Sequence, residues 1–176
     1  MTAEDLRTCI REPTQELRTA VSILSQAADL IVSGDRLAAR DLIASIDERP
    51  LRLRWQDKDW LKAKVGYERF HHGEAEERPG PPTLRERLKL YKDDGWHCRY
   101  CGIEVVDPEA RKRLVELLSP YGSPLWGRSD ASRHAALLNL SASYDHVEPN
   151  SKSGDGRPEN LVTACWFCQF GEPSMR

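Results

Sequence analysis

The chain has 176 residues, 39% of them hydrophobic and 31% charged, with a formal net charge of −2. That suits one soluble domain, or a small domain with a helical attachment, and no run approaches the roughly 18 uncharged apolar residues a membrane span needs. The near-neutral balance also argues against a protein that coats nucleic acid through a global basic field, while leaving room for a local basic groove.

Glu4, Asp5 and Arg7 interrupt any apolar signal segment, so a cytoplasmic location is the default. Cys9 stands alone on a predicted helix and reads as a small buried residue. Over 16–32, Leu17, Ala20, Val21, Leu24, Ala27, Ala28 and Ile31 recur at helical spacing, and Ser33-Gly34 closes the run. Asp35 then caps a second helix with Leu37, Ala38, Leu42, Ile43 and Ile46 on one side, ending by Pro50. The pair forms a helical hairpin. It reads as a scaffold covering the rest of the chain, with an arm that docks a protein partner, a second copy or DNA as the alternative.

From 51 to 72, Trp55, Trp60, Tyr67 and Phe70 alternate with arginines and lysines. Such a stretch can stack on bases and grip phosphates, but an amphipathic helix burying its aromatics is the plainer reading. Residues 73–82 are rich in Gly, Glu and Pro and read as a linker, which divides the chain into a helical region over 1–72 and a second domain over 83–176. Thr83 caps a short helix that stops at Asp93-Asp94-Gly95, and Asp107-Pro108 opens another. Residues 120–129 are irregular, 131–140 form one more short helix, and 141–147 form a strand ending in Asp145-His146. A polar, Gly-containing loop follows, and 158–162 are expected to begin a last helix or turn.

Four of the five cysteines form two C-x-x-C pairs, Cys98/Cys101 and Cys165/Cys168. In a chain without an export signal this reads as metal binding rather than disulfides. Four thiolates match a closed tetrahedral zinc site, and such a site can contribute roughly 10–16 kcal/mol to folding. Because 64 positions separate Cys101 from Cys165, everything else in the domain would be inserted between two knuckles.

Cys98-Arg99-Tyr100-Cys101, Asp145-His146-Val147-Glu148-Pro149, Asn160-Leu161-Val162 and Cys165-Trp166-Phe167-Cys168 together resemble the HNH (His-Me finger) endonuclease family. The resemblance covers about residues 84–171, with an enlarged segment over 105–140. It implies an α+β architecture in which the helical amino-terminal region precedes a zinc-stapled ββα-metal domain. It also implies a nuclease that hydrolyses phosphodiester bonds, in DNA rather than RNA. His146 takes the role of general base, and Asp145 that of ligand to a catalytic Mg2+ or Mn2+. Asn160, 14 positions after His146, orients the histidine. Gln169 stands where the family usually places histidine or asparagine as the second protein ligand; its carbonyl oxygen can hold a hard cation, on a side chain one methylene longer than asparagine's. Arg99, Lys152 and Arg157 are the candidate phosphate contacts, which position a substrate without reading its sequence. The competing reading is a zinc-stabilised module that binds nucleic acid or protein and has weak or no catalysis.

Overall fold

Thr14 accepts a hydrogen bond from the Leu17 N–H and opens α1 (Gln15–Ser33), whose buried stripe is Leu17, Ala20, Leu24 and Ala27. The helix stops at Gly34, which adopts φ 94°; its N–H bonds to the Ile31 carbonyl while Asp35 N–H reaches Leu30. This left-handed closure suits a residue without a Cβ. Asp35 then caps α2 (Arg36–Ala44) through Ala38 N–H at 3.0 Å. The hairpin thus forms where expected, although Leu37 is 54% exposed and the buried side is Ala39, Arg40 and Ile43. Pro50 does not terminate α2; it lies in the first turn of a separate short helix, α3 (Glu48–Arg52), where its missing N–H would have had no helical acceptor.

The computed structural model describes residues 12–52, 81–147 and 157–170. Cys9, the aromatic and basic stretch from Trp55, the linker up to Gly80, and Lys152 lie outside the described residues. Among the described residues the fold is mixed: helices with one small two-stranded antiparallel sheet, an α+β arrangement with a helical amino-terminal region. No described helix is long and apolar enough to cross a membrane.

Thr83 and Glu86 form a reciprocal capping box at the start of α4 (Leu84–Asp93). Asp107 accepts from Glu109 and Ala110 N–H at the start of α5 (Pro108–Leu118), with Pro108 at the position helix starts favour. The helix expected over 131–140 is delayed: a 3-10 turn at Asp130–Ser132 precedes α6 (Ala135–Asn139), every residue of which is buried. Strand β1 (Ala142–His146) matches its expected span. The expectation of a helix or turn from 158 holds as a turn, and is corrected from Leu161 onward. Pro158–Asn160 form a 3-10 turn, and Leu161–Cys165 form a second strand, β2, followed by α7 (Trp166–Phe170). Leu161-Val162-Thr163 suits a pleated surface, and β1 supplies the hydrogen-bonding edge that a helix over 158–162 would have left unpaired.

One core runs through these elements. Leu17, Ala20, Ile43 and Leu51 of the amino-terminal helices join Leu118, Leu137 and Leu140. Helix α6 lies against α1 and α3, and α5 against α2. Polar bonds cross the same seam: the fully buried Asn139 donates to the Leu51 carbonyl at 2.9 Å, and Arg40 donates to the Ser123 carbonyl at 2.6 Å. The Glu48 carboxylate accepts the Ala135 N–H at 2.5 Å, capping α6 from across the seam. The helical hairpin is therefore a roof over the segment between the two cysteine pairs.

Candidate functional site

Gly95 and Trp96 take positive φ values (63° and 59°) and turn the chain out of α4 into a narrow ribbon. Cys98 N–H donates to Ile103 O at 2.9 Å, and Val105 N–H to Trp96 O at 2.9 Å. At the ribbon's tip Gly102 (φ 72°) donates to Cys98 O at 2.8 Å, closing a tight turn that brings Cys98 and Cys101 together. The other pair sits at a strand-to-helix junction: Cys165 ends β2 and Cys168 lies in the first turn of α7, its N–H donating to Cys165 Sγ at 3.3 Å.

All four thiols are buried, and their sulfur atoms lie within 4.8 Å of one another. The Cys101–Cys165 sulfur separation is 4.0 Å, about twice a disulfide bond length of ~2.05 Å. Metal–sulfur bonds of about 2.3 Å in a tetrahedron place sulfurs about 3.8 Å apart. The cluster can therefore hold a metal ion such as zinc. Hydrogen bonds from Cys101, Cys165 and Cys168 hold the Cys98 thiol far below its ordinary range, whereas burial pushes Cys165 well above it. Hydrogen bonds from Cys165 and Cys168 lower Cys101 as well, and thiolate charge gathered in a buried cluster calls for a cation.

The cluster ties the ribbon to the two strands. Arg99 N–H donates to Thr163 O at 2.8 Å, and Thr163 N–H donates to the Asp94 carboxylate at 2.8 Å. Asp94 is buried, and its other oxygen faces Arg99 Nε at 3.7 Å. Sequence reasoning took Asp94 only as a helix stop; its partner in β2 is 69 positions away and leaves no local pattern.

Strand pairing sets Tyr144 opposite Thr163 and His146 opposite Leu161. Tyr144 and His146 share one face of β1, their rings edge-to-face with centroids 6.3 Å apart. Asp145 points to the other face and is 9% exposed. Its Oδ1 accepts the His146 N–H at 2.9 Å, and its Oδ2 accepts the Tyr100 hydroxyl at 3.0 Å. Asn160 ends the 3-10 turn before β2, and its carbonyl accepts the Val147 N–H at 2.9 Å, which places it beside His146 at the open end of the strand pair.

Gln169 projects from α7 and donates through Nε2 to the Tyr144 carbonyl at 2.7 Å. A carbonyl can only accept, so the amide's orientation is set. Its Oε1 is buried and has no hydrogen-bond partner among the described residues. The structure thus brings Gln169 to the main chain next to Asp145. Of the three expected phosphate contacts, Arg157 is exposed at the turn before Asn160, Arg99 is partly buried against Asp94 with one guanidinium nitrogen that has no partner among the described residues, and Lys152 lies outside the described residues. His134 belongs to the core, with Nε2 3.9 Å from Glu48. Compared with protein-family models, curated proteins and solved structures, the chain has no match.

Proposed function

We propose that the chain is an HNH-type metal-dependent endonuclease that hydrolyses nucleic-acid phosphodiester bonds, DNA in preference to RNA. One observation carries this reading. A strand–strand–helix unit presents Asp145-His146 at the end of its first strand, while Gln169 of its helix docks on the Tyr144 carbonyl with a buried oxygen to spare. Cys165 and Cys168 belong to that same unit, and Cys98 and Cys101 join it in the buried four-cysteine cluster.

Cys98, Cys101, Cys165 and Cys168 would hold zinc as a structural staple. Asp145 and the Gln169 amide oxygen would hold Mg2+ or Mn2+, both being hard oxygen donors. Such an ion supplies positive charge against the charge that grows on phosphate and leaving oxygen. The chain's own residues do the rest. The neutral imidazole of His146 accepts a proton from the attacking water as it meets the phosphorus. Asn160 closes the strand pair beside it, and its role is to hold the loop that orients the ring. Arg99, Arg157 and Lys152 supply cations for backbone phosphates.

The second reading is a zinc-stabilised binding module with weak or no catalysis. Gln169 in place of histidine or asparagine and the net charge of −2 favour it. Plasmid DNA incubated with the zinc-loaded chain and Mg2+ or Mn2+ separates the two. Metal-dependent cutting that disappears in His146→Ala is the enzyme's result; DNA binding without cutting by the wild type is the module's.

A further inference from the structure

Tyr100 sits between two cluster cysteines, so the turn closed by Cys98, Cys101 and Gly102 sets its backbone. Its hydroxyl reaches 45 positions along the chain to donate to Asp145 Oδ2 at 3.0 Å. The other carboxylate oxygen accepts the His146 N–H at 2.9 Å. A carboxylate gripped at both oxygens from two directions cannot rotate about its Cβ–Cγ bond without breaking one of them. A carboxylate oxygen carries two lone pairs, so neither of these two bonds by itself precludes a metal contact.

From this we infer that Tyr100 is a positioning residue for the catalytic centre: the cysteine cluster orients Asp145 through the Tyr100 hydroxyl. The inference rests on the nuclease reading above. A carboxylate that ligates a hard cation gains when a neighbouring donor fixes its direction, and loss of such a partner lowers metal affinity by roughly 10–100-fold. A tyrosine between the cysteines thereby gives the staple a second task, since the turn that folds around the structural metal also delivers the hydroxyl. A bond that served packing alone would leave metal affinity unchanged when the hydroxyl is removed.

The test uses the zinc-loaded full chain as wild type, Tyr100→Phe, Asp145→Asn and the double variant. Mn2+ binding is followed by electron paramagnetic resonance, and plasmid cutting is followed against Mn2+ concentration. Tyr100→Phe keeps every ring carbon, so zinc content should stay at the wild-type value, while the loss of one part-buried hydrogen bond should lower the melting temperature by only about 2–4 °C. Mn2+ affinity should fall about 10–100-fold, half-saturation of cutting should move up by the same factor, and saturating Mn2+ should restore the rate. In the Asp145→Asn background the same change should have no further effect on Mn2+ binding. Tyr100→His, which offers a donor on a smaller ring, should recover part of the lost affinity and covers the case in which the phenylalanine variant loses zinc. Unchanged Mn2+ affinity in Tyr100→Phe, with a wild type that cuts, overturns the positioning role and leaves the nuclease reading intact. A rate that falls equally at all Mn2+ concentrations overturns it too. A wild type that neither binds Mn2+ nor cuts removes the nuclease reading and this inference with it.

Discussion

On the proposed nuclease reading, catalytic competence turns on Gln169. Its Nε2 is committed to the Tyr144 carbonyl, and its Oε1 is buried with no partner among the described residues. An unsatisfied buried oxygen of this kind costs about 1–3 kcal/mol, and a hard cation beside it would relieve that cost. Gln169→Leu keeps the side chain's bulk and removes the oxygen. Half-saturating Mn2+ in the cleavage assay should rise at least about 10-fold while zinc content holds. No change in Mn2+ dependence, with equal or greater stability, would mean that the oxygen never touches the metal. At this scale much of the site was legible. The four cysteines stand out because two C-x-x-C spacings are set by coordination chemistry, whereas Asp145, His146 and Gln169 are singled out only by the family resemblance. Tyr100 and Asp94 do not, because their partners lie 45 and 69 positions away.

Among the elements, three helix starts were readable from capping chemistry: Asp35, Thr83 and Asp107 each accept a backbone N–H in the first turn. Such signals are local and survive without tertiary context. Strand β2 was not readable, since Pro158-Glu159-Asn160 resembles a helix start and only pairing with β1 reveals the strand. The seam between the amino-terminal helices and α6 was equally hidden, because its bonds join residues more than 80 positions apart. Glu48 is its centre: one carboxylate oxygen accepts from both Ala135 N–H and Arg52, and Arg52 also donates to the Arg133 carbonyl. Glu48→Ala removes the cap of α6 and leaves that N–H without an acceptor, so urea unfolding should show a loss of about 2 kcal/mol. A loss below about 0.5 kcal/mol would place the seam's strength in its apolar contacts instead.

Over the described residues, the roof and the unit that carries the cysteine cluster share one core, so protonation at the seam should weaken the entire fold. Burial pushes His134 below its ordinary 6.5; Glu48 acts in the opposite direction, while Arg52 and Arg40 reinforce the fall. The folded chain therefore holds His134 neutral and the unfolded chain binds its proton more readily, so the stabilisation is complete above about pH 6.5 and is lost as pH falls below it. Unfolding free energy should drop between pH 7.5 and 5.5, and the drop should be smaller in His134→Gln. Equal slopes in the two proteins would place the titration elsewhere.

The nuclease assignment stands or falls on cutting by the zinc-loaded full chain. With supercoiled plasmid and Mg2+ or Mn2+, the wild type should cut in a strictly metal-dependent manner. His146→Ala should lower the rate about 10²–10⁴-fold, the range a general base supplies, with Mn2+ binding and melting temperature retained. A wild type that leaves the plasmid intact, or a His146→Ala chain that cuts as fast as the wild type, would contradict the account.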